Sequence, residues 1–237
     1  AFEVDGSSLD ANVTTLANGE VLTVTNSDNL KLTALGGGFG DSLTGGSGAD
    51  ILTGNGGNDT LLGAGGNDVI TGGTGIDSIT GGTGVDNIDA GAGNDIIIVA
   101  DDAEFKVSGG VETVKGGLGT DTLSFTEGAD LTLTAPELSQ LYSVEKIVLG
   151  SNTTSLTFGN ETFTNLGNAS LQITTTSTNN VTTIDGSAVS NGSFLIVDDG
   201  SNNNSDNLIG GSGDDIFRFA TTTGLTSGDT VTGGAGT

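Results

Sequence analysis

The sequence contains no cysteine, methionine, tryptophan or histidine, and only one proline and one tyrosine. Without cysteine no disulfide framework can form, and without histidine as well no His/Cys site for zinc or copper. The missing histidine also removes any Ser-His-Asp arrangement for nucleophilic catalysis. Basic residues are scarce: five Lys+Arg stand against thirty Asp+Glu, a formal net charge of −25 in 237 residues. That balance argues against a nucleic-acid partner, whose phosphates need Lys and Arg, and points to cations. No apolar run is long enough to span a membrane as a helix, and no signal peptide or lipidation motif appears. The chain begins at Ala1 without Met and ends inside a repeat, which reads as a fragment with any export signal outside it.

Large apolar groups are sparse too, with 33% hydrophobic and 4% aromatic residues. A chain so acidic and so poor in core-forming side chains would ordinarily stay disordered. The alternative is that something outside the chain supplies folding free energy. The length allows one large or two ordinary domains.

What the chain has in abundance is glycine, 43 residues of it, and the glycines are periodic. From Gly36 the sequence falls into nines: GGGFGDSLT, GGSGADILT, GNGGNDTLL, GAGGNDVIT, GGTGIDSIT, GGTGVDNID and AGAGNDIII. The sixth place is always aspartate: Asp41, Asp50, Asp59, Asp68, Asp77, Asp86 and Asp95. The eighth is always aliphatic: Leu43, Leu52, Leu61, Ile70, Ile79, Ile88 and Ile97. Further copies stand apart, GGLGTDTLS at 116–124 with Asp121, SNNNSDNLI and GGSGDDIFR over 201–218 with Asp206 and Asp215, and GLTSGDTVT at 224–232 with Asp229.

The pattern GGxGxDxUx is that of the calcium-binding β-helix repeat, and its physics can be followed. Glycine permits left-handed backbone in the turn and lets carbonyls crowd inward. The next three residues form a short strand whose eighth place points inward while the seventh and ninth point out. Two nonapeptides then complete one turn of a flattened coil, so aspartates two repeats apart stack at the sheet spacing of about 4.8 Å. With calcium–oxygen bonds of about 2.4 Å, one ion fits between two carboxylates, loop carbonyls filling its remaining positions. Without an ion the stacked pairs repel, by about 3 kcal/mol at an effective dielectric of about 20. The array is thus expected to fold only with calcium, with on the order of five ions for its stacked pairs. Phe39 takes the fourth glycine place in the first repeat, so Asp41 is expected to be a partial ligand. Asn replaces Gly in 201–209, and Asn tolerates left-handed backbone, which keeps Asp206 in play. Asp121 has no contiguous partner two repeats away and would need oxygen from elsewhere.

The sequence divides into a β lead-in (1–35), the repeat array (36–98), a loop with an isolated repeat (99–125), a β-rich spacer (126–200) and a second, truncated array segment (201–237). Strands are expected at Val21–Thr25, Leu30–Leu35, Ser155–Phe158 and Leu171–Thr175, with alternation at Leu123/Phe125 and Leu131/Leu133. Ala135–Ser143, with Pro136 at its start, is the one helical turn expected. Val4–Leu9 matches Ile184–Val189, and NDIIIVA (94–100) resembles DDIFRFA (214–220), which reads as two copies of one module. Other features carry little chemistry. The sequons at Asn12, Asn160 and Asn180 arise easily in a Thr- and Asn-rich chain. Asp101-Asp102 and Asp198-Asp199 read as solvated turn residues or extra calcium ligands rather than acid–base pairs. Tyr142 reads as packing, and Lys31, Arg218 and the other bases form no patch.

The repeats resemble the RTX family, proteins secreted by Gram-negative bacteria through type I export that stay unfolded in calcium-poor cytosol and fold outside. The resemblance implies an all-β, right-handed parallel β-roll with calcium in its turns, extended here by β-solenoid spacers. It implies the sixth-place aspartates as ligands. It also implies carbonyls at first and third places: Gly45, Ser47, Gly54, Gly56, Gly63, Gly65, Gly72, Thr74, Gly81 and Thr83. The phrases VETVKGGLGTDTLSF and SVEKIVLG and the Thr-rich spacers are similar to RTX-type surface-layer proteins. In those, calcium folds the chain and joins subunits into a lattice. This implies a secreted, non-enzymatic structural segment at the cell surface. Its partners would be calcium, other copies of itself and, through regions outside this chain, cell-surface polysaccharide. The alternatives are an RTX adhesin or biofilm-matrix segment, or the non-catalytic tail of a secreted enzyme.

Overall fold

The structure, a computed structural model, describes residues 2–5, 12–13, 22–25, 31–99, 112–126, 131–150, 153–166, 170–175, 183–190, 192–198, 205–219 and 227–236. The chain divides into two units, Ala1–Val99 with Ala103–Asp121, and Ala100–Asp102 with Thr122–Thr237. Both are built of parallel strands.

In the first unit, one face carries the strands Phe2–Asp5, Leu22–Thr25, Ser42–Gly46, Thr60–Gly65, Ser78–Thr83 and Ile96–Val99 in that order. The other carries Asn12–Val13, Thr33–Leu35, Ile51–Gly56, Val69–Thr74, Asn87–Ala92 and Thr113–Leu118. Successive strands alternate between the two faces, which makes each pair of nonapeptides one coil of a parallel β-roll. The register is that of two repeats: Leu43 lies opposite Leu61, Leu61 opposite Ile79, and Ile79 opposite Ile97. On the second face Leu52, Ile70, Ile88 and Val114 align in the same way.

Those eighth-place side chains are the core. All are at most 1% exposed, while the flanking places face outward, as the alternation of strand side chains requires. Each apolar ladder is one side chain wide, since the other inward positions hold aspartate and glycine, with Ala90.

The last coil of this unit is longer. Asn87 pairs with Thr113 across 26 residues, whereas Val69 pairs with Asn87 across 18. The extra residues fall between 99 and 112, and pairing resumes in the same register. This places Glu112 beside Asp86 and Asp121 beside Asp95.

The second unit keeps the architecture although the nonapeptide matches only its residues 201–218. One face runs Thr122–Phe125, Lys146–Leu149, Ser170–Thr175, Ser193–Asp198, Ile216–Phe219. The other runs Leu131–Leu133, Thr153–Thr157, Thr183–Asp185, Asn207–Ile209, Thr230–Thr232. Its coils vary in length, because loops of different size leave the strands in register: Leu123 pairs with Ile147, Ile147 with Ile173, and Ile173 with Ile196. The core is larger, with Phe158 and Phe194 packed at 5.3 Å between ring centroids.

The helical turn expected near Pro136 is the helix Ala135–Leu138, whose start is braced by the Glu137 carboxylate accepting the Thr134 N–H at 2.6 Å. A second helix, Asn160–Leu166, was not expected from the sequence. The resemblance of Val4–Leu9 to Ile184–Val189 rests partly on 6–9, outside the described residues, as do Asp101, Asp102, Asn180 and Asp199. Among the described residues no helix is long and apolar enough to cross a membrane.

Because the ladders are one side chain wide, truncating a rung leaves a void its neighbours cannot fill. Ile79→Ala should destabilise the folded array by about 3 kcal/mol, measured by denaturant unfolding in calcium. Ser78→Ala, on the outward side of the same strand, should change it by less than about 0.5 kcal/mol.

Candidate functional site

The sixth-place aspartates point inward at the ends of the coils, and the seven of the array are at most 3% exposed. Carboxylates are almost never buried to this degree without partners. Each of Asp59, Asp68, Asp77, Asp86 and Asp95 uses one oxygen in the same way. The backbone N–H of the aspartate one coil back donates to its Oδ1, as Asp41 does to Asp59 at 2.6 Å and Asp50 to Asp68 at 2.7 Å. Asp59 to Asp77, Asp68 to Asp86 and Asp77 to Asp95 follow at 2.8 Å. These contacts lock the carboxylates into two columns.

The second oxygen is different. Oδ2 of Asp50, Asp59, Asp68, Asp77 and Asp95 is buried and receives no hydrogen bond. Each of four packs against the first-place glycine of its own repeat and the first-place carbonyl of the next coil. A Cβ on Gly45 would strike Asp50 Oδ2 and the Gly63 carbonyl. On Gly54 it would meet Asp59 and Gly72, on Gly63 Asp68 and Gly81, and on Gly72 Asp77 and Ala90. The first place is glycine, or small, because the carboxylate and the carbonyl converge on the space a side chain would fill. Second-place residues in these turns are left-handed, including the non-glycines Asn55 (φ 74°) and Ala64 (φ 77°), the strained backbone that turns the chain around the cradle.

The cradles offer oxygen alone, two of the donor types that calcium takes. Among the described residues no three His, Cys, Asp or Glu side chains converge, so carboxylates and backbone carbonyls have to act together. The first-place carbonyls of Gly54, Gly63, Gly72 and Gly81 stand in or beside these cradles. Third-place carbonyls are partly engaged: Thr74 accepts the Gly57 N–H and Thr83 the Gly66 N–H, both at 2.9 Å.

Asp121 corrects the sequence expectation of an isolated residue. The Asp95 N–H donates to its Oδ1 at 2.9 Å, so it extends the column above Asp95. Glu112, missed in the sequence, is 3% exposed and occupies the sixth place above Asp86. The signal was present in VSGGVETVK, a nonapeptide with Glu for Asp and Val114 in eighth place. In the second unit Asp229 is not alone either, its Oδ1 accepting the Asp206 N–H at 2.8 Å. A minor ladder of fifth-place Asn side chains braces the turns from outside: Asn58 accepts from Ile76, Asn67 from Val85 and Asn94 from Thr120.

Burial pushes these carboxyls up. Asp68 rises to about 7 and Asp59 to about 6, chiefly by desolvation; a backbone N–H holds each back and the stacked aspartates on either side add to the rise. Desolvation raises Asp50, Asp77 and Asp95 as well. The ion-free fold therefore holds more protons than the unfolded chain between about pH 4 and 7. Its stability is greatest at the acid end of that window and is lost as pH rises through the folded pKa values. Metal-depleted protein should show more β-sheet circular dichroism signal at about pH 4.5 than at about pH 7.5. The opposite order would contradict this assignment of the buried carboxyls.

Residues 35–70, 62–97 and 201–218 match the family model of the RTX calcium-binding nonapeptide repeat. No curated protein and no solved structure matches the chain. The matched residues include those that form the roll 36–98 and, in the second unit, the strand Asn207–Ile209 and the turn preceding Ile216–Phe219, and the buried oxygens of that roll are what a calcium-binding repeat requires. The array is a parallel β-roll of RTX calcium-binding nonapeptide repeats, and calcium is its ion.

Proposed function

We propose that this chain is a calcium-folded structural segment of a secreted protein that self-assembles at the bacterial cell surface, with no catalytic role of its own. The observation that carries the reading is the row of buried Oδ2 atoms on Asp50, Asp59, Asp68, Asp77 and Asp95. An unpaired buried carboxylate costs several kcal/mol, and here the cost recurs at each coil. Calcium would be held by these oxygens together with first-place carbonyls such as Gly63, Gly72 and Gly81, with Asp86, Glu112 and Asp121 in the same columns. The bound ion supplies the positive charge that lets the carboxylates stack.

The structural role follows from repetition. A sensing site needs one or two ions, whereas a ladder of them makes the ion part of the framework. Ion binding would also neutralise much of the net charge of −25, which otherwise keeps copies apart. Neutralised rolls can then pack side by side, as a surface-layer lattice requires.

At neutral pH, metal-depleted protein should lose a large part of its β-sheet circular dichroism signal, that of the repeat array, and regain it on adding calcium. An unchanged spectrum after chelation would contradict the reading. Electron microscopy of the calcium-loaded protein should show ordered sheets or oligomers, and a monodisperse monomer would count against assembly.

Gly63→Ala tests the cradle directly, because its Cβ meets Asp68 Oδ2 and the Gly81 carbonyl. It should raise the calcium midpoint for folding several-fold, roughly the effect of losing 1–2 kcal/mol. Thr60→Ala, on an exposed strand position, should leave the midpoint unchanged.

A further inference from the structure

The motif-bearing turns fall into two backbone states. In the open state the second-place residue is left-handed: Gly46 (φ 139°), Asn55 (74°), Ala64 (77°), Gly73 (121°) and Gly91 (109°). These are the turns whose aspartates, Asp50, Asp59, Asp68, Asp77 and Asp95, have an Oδ2 without a hydrogen bond. The second state occurs in turns 36–41 and 210–215. There the second-place N–H turns inward and donates to the aspartate of its own repeat, Gly37 to Asp41 Oδ2 at 2.6 Å and Gly211 to Asp215 Oδ2 at 2.9 Å. Neither Gly37 nor Gly211 is among the residues with left-handed backbone.

We propose that turns 36–41 and 210–215, although they carry the repeat motif, are closed by their own backbone and take no calcium, so that only the open turns load ions. The proposal rests on the reading of the open turns as calcium sites and limits it. In an open turn the inward-facing oxygen awaits a positive partner. In a closed turn an N–H dipole already occupies that direction, and its hydrogen would stand against a cation. Turn 36–41 is engaged a second time, since the Gly36 carbonyl accepts the Asn55 side-chain amide at 2.7 Å. At Asp215 both oxygens are taken by backbone, Oδ1 by Phe194 N–H at 2.8 Å and Oδ2 by Gly211.

Position at the foot of a column does not by itself close a turn. Asp50 also lies above an apolar residue, Leu32, whose N–H donates to its Oδ1 at 2.6 Å, yet its turn is open. Nor does the second-place letter decide, since Gly46, Gly73 and Gly91 are glycines in open turns. Both closed turns lie within stretches that match the repeat family, so the motif overstates the number of ions by at least these two.

Native mass spectrometry of the calcium-loaded chain counts the ions. Asp41→Asn and Asp215→Asn should leave the count unchanged, because asparagine keeps an oxygen to accept the same N–H. Asp59→Asn and Asp77→Asn should each lower it by at least one. An independent readout on the unaltered protein is amide hydrogen exchange, in which Gly37 and Gly211 should be protected. A lower count in Asp41→Asn or Asp215→Asn, or fast exchange at both glycines, overturns the assignment. A wild-type chain that takes up no calcium overturns instead the calcium reading on which it rests.

Discussion

One constraint orders the first unit: at Asp50, Asp59, Asp68, Asp77 and Asp95 a carboxylate oxygen is buried at a coil end without a hydrogen bond. The parallel ladder brings an aspartate back every coil, and its neighbour's N–H satisfies only one of its two oxygens. The other faces a first-place glycine and a carbonyl. Most of the unusual composition follows. The first place must be small because the cradle has no room for a Cβ, and the second must bend left-handed to carry the chain around it. The sixth cannot be apolar without emptying the site. Hydrophobic content is low because only one place in nine is free to build a core.

The eighth-place ladder and the sixth-place columns were legible because each depends on a period, and a period survives without coordinates. Leu43, Leu61 and Ile79 announce the core by recurrence alone. What the period could not carry was anything that interrupts it. The residues inserted after Val99 hid the partnership of Asp121 with Asp95, since spacing along the chain changed while spacing in the ladder did not. Glu112 was hidden by a change of letter that leaves the chemistry intact. The closed turns were hidden for a third reason. Open and closed backbones share one motif, and the difference is a rotation at Gly37 or Gly211 rather than a residue type.

The second unit shows how far the fold depends on the motif. Its ladders pair in register through Leu123, Ile147, Ile173 and Ile196 although successive coils differ in length. Strand pairing is set by the inward-facing side chains, and loops of varied size are tolerated at the coil ends because lengthening a loop costs little entropy. The helix Asn160–Leu166 sits in one such connection, where an Asn-rich stretch gave no periodic signal. Larger rings, Phe158 and Phe194 among them, fill the interior where the array has glycine and carboxylate.

The two units thus solve one problem by different means. A parallel roll needs something between its sheets at the coil ends as well as along its strands. Where the ends are lined by Leu, Ile and Phe, burial of apolar surface is enough to hold the coil in place. Where they are lined by carboxylates, the fold is conditional on a cation, and the desolvation of the buried carboxyls that chiefly raises their pKa values, with a smaller contribution from repulsion between stacked aspartates, works against the roll until one arrives. Ion-conditional coils and coils held by apolar burial in one chain allow folding of the array to be withheld until calcium is supplied. The columns of the first unit are where that control resides, because each added open turn repeats the same unmet charge, and an ion held there relieves stacked neighbours at once.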